Sequence, residues 1–118
     1  MAAVVVWSLA LFLILYENMS TTGIHVFLDM LAEFGVDRIF GNPGSTELPL
    51  NDALVSDDRF RYILGLQEIP VMAMADGYSM ASGKLSVVNV HICPGLGNAM
   101  GMLYNCLLYT SPSPRDRG

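Results

Sequence analysis

Basic side chains are scarce in this 118-residue chain, which has six Lys and Arg against eleven Asp and Glu and a formal charge of −5. Such a surface has too few cations to neutralise a run of phosphates, so a nucleic-acid-binding role is excluded. Cysteine is also rare, and two of them (Cys93 and Cys106) do not suggest a disulfide framework. We therefore expect a reducing, cytoplasmic environment. No apolar run reaches the roughly 20 residues that span a bilayer.

The two ends of the chain differ from its middle. Residues 2–15 have the length of a signal-peptide core, but they lack a basic preceding region and a small-residue cleavage site. Three interpretations stay open: a signal or anchor segment, a buried helix, and upstream sequence read in frame before a true start at Met19. From Cys106 the sequence CLLYTSPSPRDRG has neither helix nor strand periodicity and resembles a translated sequencing adapter. We predict an apolar head at 1–18, a domain at 19–105 and a non-native tail at 106–118.

The middle of the chain alternates helical and extended patterns. Residues 20–22 can cap a first helix, and Gly35 is placed to end it. Short apolar runs at 36–40, 62–66 and 86–91 predict three strands, each followed by a polar or glycine-containing turn and a helix. The turn after the third strand, CPGLGNAMG, leads into a helix that is cut off. This order predicts an α/β fold with a doubly wound, flavodoxin-like parallel sheet, incomplete at the C-terminus.

The predicted turns at 42–45, 67–68 and 91–98 follow the three strands. Parallel strands bring such turns to one edge of the sheet, where ligands bind in open α/β folds. Glu68 lies where a strand meets a helix N-terminus, and only apolar residues follow it for several positions. Glu68 is therefore our candidate for the catalytic residue of the site. The simpler alternative is an acid that only stabilises the helix dipole.

Other polar residues at this edge also have structural alternatives. His91 is placed to be either a proton carrier or a partly buried, hydrogen-bonded histidine. Ser45 or Thr46 can cap the helix that follows, with Glu47 favourably placed in its first turn, and no Asp/His pattern supports a hydrolase. Asn42 and Asn98 suit turn hydrogen bonds as well as ligand contacts.

Two alternative functions come from other parts of the chain. Residues 95–101 read G-x-G-x-x-x-G after a strand, a relative of the dinucleotide-binding fingerprint, which would make this a nucleotide-binding oxidoreductase domain. Against it, the motif follows the third predicted strand and not the first. The second alternative is a non-catalytic module anchored to a membrane by residues 2–15.

Four segments, in this order and spacing, resemble the N-terminal pyrimidine-binding domain of thiamine-diphosphate enzymes: FGNPGSTELPL, RYILGLQE, MADGYSMASGK and VVNVHICPGLGNAMGMLYN. The resemblance covers 21–105 and is closest to the benzoylformate decarboxylase branch of the acetolactate synthase-like superfamily. It implies that Glu68 hydrogen-bonds the aminopyrimidine ring nitrogen of thiamine diphosphate. That contact favours the tautomer whose exocyclic nitrogen removes the thiazolium C2 proton.

The same resemblance implies roles for the other candidate residues. Ser45 matches a serine that contacts the substrate carboxylate, and His91 matches a histidine that relays protons. The positions expected to line the pyrimidine pocket, besides Glu68, are Asn42, Pro43, Gly44 and Asn98.

As a whole, the resemblance implies a 2-keto acid decarboxylase or carboligase that is a homodimer or homotetramer at full length. Its Mg²⁺ site, built on a Gly-Asp-Gly…Asn motif, belongs to a domain that this sequence does not contain, so no metal site is expected here. Because the active sites of such enzymes form between two subunits, the 118 residues are expected to carry half a cofactor site.

Overall fold

The computed structural model describes residues 22–110. The predicted head at 1–18 and residues 111–118 of the predicted tail lie outside this range. Within it, helices and strands alternate. The elements are α1 (Gly23–Glu33), β1 (Arg38–Asn42), a 3₁₀ helix (Ser45–Glu47), α2 (Leu48–Val55), β2 (Arg61–Leu64), α3 (Glu68–Ser82), β3 (Val87–Val90) and α4 (Ile92–Thr110).

The three strands form one parallel sheet in the order β2-β1-β3. Phe40 in the central strand is paired with Ile63 on one side and with Val88 on the other. This order is the beginning of the flavodoxin-like order 2-1-3-4-5, in which the chain first adds a strand on one side of β1 and then on the other. The predicted parallel α/β fold is confirmed.

Successive residues of β1 point to opposite faces of the sheet and into separate core clusters. Ile39 packs with Leu28, Val36 and Phe60, beneath α1 and α2. Phe40 packs with two residues of α3, Val71 and Ala75. Because both faces are covered, the strands are apolar with little alternation, as parallel sheets require.

Two glycines end helices in the left-handed conformation. Gly35 follows α1 with φ +74°, and Gly83 follows α3 with φ +68°. The Gly83 N–H donates to the carbonyl of Ser79, one of the last carbonyls of α3. Gly35 was predicted as a helix end, and both positions suit glycine because a side chain is disfavoured at positive φ.

Strand β1 is shifted relative to the prediction of 36–40. It begins at Arg38, and it continues through Gly41 and Asn42, which pair with Asn89 and Val90. The sequence suggested a turn at Gly41, yet the absence of a side chain there admits the Tyr62 hydroxyl across the sheet, so the ladder continues. The third strand is shorter than the predicted 86–91 and spans Val87–Val90.

The predicted side-chain caps are wrong in detail. Gly44, and neither Ser45 nor Thr46, precedes the 3₁₀ helix, and its N–H donates to Glu47 Oε2 at 2.8 Å. Thr22 does precede α1, but its side chain makes no capping hydrogen bond to the backbone. Its hydroxyl lies 2.7 Å from His25 Nδ1 instead.

Helix α4 differs from the prediction at both ends. It begins at Ile92, one residue after the end of β3, without the predicted glycine-rich turn. It continues to Thr110, so the expectation that helical structure ends before Cys106 is wrong for 106–110. Cys106 is buried, and α4 packs against α3. The predicted origin of 106–118 stays a prediction.

Helices of the described part of the chain are all too short or too polar to cross a membrane. The segment proposed as a possible anchor, 2–15, is outside the described residues.

We predict that Gly41→Ala destabilises the protein. A Cβ at this position would collide with the hydroxyl and ring of Tyr62 and come within 3.1 Å of Asn89 Cβ. Overpacking of this kind costs about 1–3 kcal/mol. The matched control is Gly23→Ala, because nothing lies within 4 Å of a Cβ there. The midpoint of thermal unfolding should fall for Gly41→Ala and stay level or rise for Gly23→Ala; equal midpoints would contradict the packing argument.

We also predict that Asp37 contributes stability that is lost in acid. Its carboxylate accepts hydrogen bonds from Lys84 Nζ at 2.7 Å and from the Tyr78 hydroxyl at 2.6 Å, and these lower its pKa. A lowered folded-state pKa gives stability that is complete above the unfolded value of about 3.9. It is lost as the pH falls through the folded-state pKa. In thermal unfolding, Asp37→Asn should therefore be less stable than wild type at pH 7, and the difference should shrink below pH 4.

Candidate functional site

The carboxyl ends of the three strands bring the candidate residues to one edge of the sheet. Asn42 ends β1, Glu68 begins the helix after β2, and His91 lies between β3 and α4. Strands β1 and β3 are neighbours, yet the chain leaves β1 for β2, on the opposite side. Such a reversal opens a crevice at the strand ends, where open α/β sheets bind ligands.

The carboxylate of Glu68 is held between two amides. The side chain belongs to the first residue of α3 and is buried, with 7% of the residue exposed. Asn42 Nδ2 donates to Oε1 at 2.9 Å, and Asn98 Nδ2 donates to Oε2 at 3.2 Å. The structure thus gathers three predicted site residues that are 26 and 30 positions apart in sequence.

These hydrogen bonds keep Glu68 ionised. Its own backbone N–H, followed by the amides of Asn42 and Asn98, lowers the pKa of the carboxyl, and burial only partly opposes them. Because donors to a carboxylate favour the charged form, Glu68 is a hydrogen-bond acceptor at neutral pH. Val71 and Ala75 of the same helix pack with Phe40 of the sheet, whereas the Glu68 carboxylate is hydrogen-bonded to the two amides.

His91 is paired with a residue that the sequence analysis did not select as a site residue. Its Nδ1 lies 2.8 Å from Glu47 Oε2, the oxygen that also accepts the Gly44 N–H. A Cβ on Gly44 would collide with the His91 ring, so only glycine lets the turn lie against the imidazole. The sequence does contain a signal for the contact between Glu47 and Gly44. An acidic residue three positions after the residue that precedes a helix often accepts a hydrogen bond from the backbone N–H of that preceding residue.

The carboxyl of Glu47 is ionised as well. Burial acts to raise its pKa, but the hydrogen bonds from the Gly44 N–H and the His91 ring outweigh burial and lower it. A carboxylate only accepts hydrogen bonds, so the nitrogen facing it must carry a proton.

Two other predicted residues lie in the same turn without joining these contacts. Ser45 is exposed in the 3₁₀ helix, and within residues 22–110 its side chain makes no hydrogen bond. Pro43 is partly buried between Asn42 and Gly44.

The glycines at 95–101 do not form a phosphate-binding loop. They lie inside α4, and the Gly95 N–H is hydrogen-bonded to the His91 carbonyl at 3.0 Å. A Cβ on Gly95 would lie 3.2 Å from Glu68 Oε1, whereas Gly97 and Gly101 have open space around them. Gly95 thus allows α4 to pass close to Glu68, and the motif gives no basis for the oxidoreductase alternative.

The backbone between β3 and α4 is strained. Ile92 has φ +47°, which is unusual for a β-branched residue. Such conformations concentrate at binding and catalytic sites, where the surrounding structure holds them. Here the strained residue is the first of α4, directly after His91 and in the helix that carries Asn98.

Acidic, histidine and cysteine side chains do not cluster in threes in a way that could hold a metal ion, as far as residues 22–110 are concerned. The site that the structure brings together is therefore organised around two carboxylates, each with its own partners.

Known proteins resemble this chain throughout the site. The family model "Thiamine pyrophosphate enzyme, N-terminal TPP binding domain" matches residues 21–113. Benzoylformate decarboxylase of Pseudomonas aeruginosa is 48% identical over 84 residues, which are 71% of this chain and 16% of that protein. The mitochondrial acetolactate synthase catalytic subunit of Aspergillus candidus is 41% identical over 91 residues, which are 77% of this chain and 13% of that protein.

A solved structure has the same fold. The thiamine diphosphate-dependent 4-hydroxybenzoylformate decarboxylase of Rhodococcus jostii RHA1 superposes with a TM-score of 0.68 at 47% identity, covering 72% of this chain and 16% of that one. The chain thus spans about a sixth of the length of these relatives. It belongs to the thiamine pyrophosphate enzymes and carries their N-terminal TPP-binding domain.

Proposed function

We propose that this chain supplies the pyrimidine-binding half of a thiamine diphosphate site in a longer enzyme that decarboxylates or ligates 2-keto acids. The observation that carries the proposal is the buried Glu68 carboxylate, held by Asn42 and Asn98 at the strand ends. This carboxylate lies at the carboxyl ends of the strands, where open α/β sheets bind ligands.

The residues present fit the pyrimidine ring. A carboxylate offers about four lone-pair sites, and the amides of Asn42 and Asn98 leave room for a further donor. The longer of its two amide contacts, at 3.2 Å, comes from Asn98, which is exposed. The Glu68 carboxylate would hold the pyrimidine ring by accepting a hydrogen bond from a protonated ring nitrogen.

Thiamine diphosphate, when bound, accepts the electron pair released by carbon–carbon cleavage. The chain's own residues orient the ring and control protons. Glu68 holds a proton at the ring nitrogen, and His91 carries one to and from the reacting substrate. Ser45 contacts the substrate carboxylate, and the ring is lined by Asn42, Pro43, Gly44 and Asn98.

The similarity to two decarboxylases that act on benzoylformate-type acids favours decarboxylation, and the similarity to an acetolactate synthase keeps carboligation as the second candidate. We place the enzyme in the cytoplasm, as a homodimer or homotetramer. The residues that bind Mg²⁺ and the diphosphate would lie in parts of the protein outside this chain. A second subunit would contribute that half of the site.

The first prediction concerns Glu68→Gln in the full-length protein. Gln is nearly isosteric but uncharged, so it cannot hold the proton on the ring nitrogen. We expect exchange of the thiazolium C2 proton, followed by NMR in deuterated buffer after acid quench, to slow by about 10²–10⁴-fold, the range of a lost proton-transfer group.

The control for this prediction is Glu33→Gln, at an exposed glutamate in the last turn of α1. It should exchange at the wild-type rate. Near-normal exchange in Glu68→Gln, with cofactor bound, would contradict the assigned role.

A further prediction concerns the 118-residue chain. Because it carries half of the cofactor site, we expect no release of CO₂ from benzoylformate or pyruvate in the presence of thiamine diphosphate and Mg²⁺. The full-length protein, assayed in parallel, should decarboxylate one of them. Turnover by the 118 residues would show that half a site is sufficient and would refute the prediction.

A further inference from the structure

Glu47 makes contacts that the proposed reaction does not yet explain. Its side chain is 14% exposed, and one of its oxygens, Oε2, accepts both the Gly44 N–H and the His91 ring. Glu47 and His91 are 44 positions apart in sequence. Glu47 lies in the 3₁₀ helix that follows β1, and His91 directly follows β3. A residue that only completed the turn would not need to meet the imidazole.

The basic partner of the Glu47 carboxylate is His91. Within residues 22–110, His91 is the only basic side chain in ion-pair distance of this carboxylate, and it carries a charge only when both ring nitrogens are protonated. Tyr62 is close to Glu47 but stays neutral at physiological pH, because burial and the Glu47 carboxylate raise the pKa of its hydroxyl to about 12. Its hydroxyl is buried and makes no hydrogen bond to any described residue.

The imidazole is therefore fixed on one side. Gly44 lies against the ring, and Glu47 faces Nδ1. A free imidazole exchanges its proton between both nitrogens, but a carboxylate at Nδ1 selects the form that is protonated there.

We propose that Glu47 is a positioning residue for His91, holding the proton on Nδ1 so that Nε2 is the nitrogen that takes up and returns protons. When Nε2 accepts a proton, His91 becomes a cation, and the adjacent Glu47 carboxylate stabilises that charge. When the proton leaves, neutral His91 returns to the same tautomer. The role of Nε2 in catalysis rests on the proposed function, whereas the effect of Glu47 on the His91 tautomer is independent of it.

The first experiment is ¹⁵N NMR of the full-length protein labelled at histidine, with the His91 signals assigned by their loss in His91→Ala. We expect wild-type neutral His91 to show a protonated Nδ1 and an unprotonated Nε2. In Glu47→Gln, the amide can rotate to accept or to donate, so both tautomers should be populated. In Glu33→Gln, the signals should match wild type. A wild-type His91 with its proton on Nε2, or a tautomer unchanged in Glu47→Gln, would overturn the proposal.

The second experiment is a kinetic double-mutant cycle. Because Glu47 acts through His91, Glu47→Ala should lower kcat about 10–100-fold, and KM should change little. His91→Ala should lower kcat by about 10²–10⁴-fold. The double variant should be no slower than His91→Ala by more than about twofold. Losses that multiply would show that Glu47 acts independently of His91 and would overturn the proposal.

The two experiments separate the possible failures. A full-length protein that neither binds thiamine diphosphate nor decarboxylates a 2-keto acid would refute the proposed function, while the NMR signals would still decide the positioning role. If Glu47 had only a structural role in the turn, Glu47→Ala would have a lower unfolding midpoint than wild type. The His91 tautomer in Glu47→Gln would then be the same as in wild type.

Discussion

The structure depends on one constraint: a buried carboxylate at the edge of a parallel sheet must be hydrogen-bonded. Glu68 meets this requirement through the amide of Asn42, at the end of β1, and the amide of Asn98, in α4. Burying an ionised carboxylate without such donors is costly, so the three elements have to meet correctly for the charge to be tolerated. The same contacts that satisfy the charge also fix the place where a ligand ring can be bound.

Two carboxylates share this edge and are given different partners. Glu68 receives neutral amides and keeps an acceptor position for a ligand, whereas Glu47 faces an imidazole and a backbone N–H. Glycines at 44 and 95 make both arrangements possible, because a side chain at either position would press on His91 or on Glu68.

Much of this site could be predicted from the sequence, because it follows from topology. Parallel strands place their carboxyl ends together, so the apolar runs alone predicted that Asn42, Glu68, His91 and Asn98 would lie at one edge. The left-handed ends at Gly35 and Gly83 followed from the preference of glycine for positive φ.

Other features depend on contacts between distant residues. The side chain of Glu47 reaches back to Gly44 and across to His91, a pairing that local sequence does not specify. Strand β1 continues through Gly41 because Tyr62, on a neighbouring strand, occupies the space of the missing side chain. Helix α4 extends past Cys106 although its periodicity is weak there, and Cys106 itself is buried.

The central claim is that Glu68 binds the pyrimidine half of thiamine diphosphate, and a crystal structure of the full-length protein with the cofactor tests it most directly. The account predicts a Glu68 carboxylate oxygen within about 2.6–3.2 Å of the pyrimidine ring nitrogen, with Asn42 still bonded to the other oxygen. A cofactor ring placed against another residue, with Glu68 bonded only to Asn42 and Asn98, would contradict it.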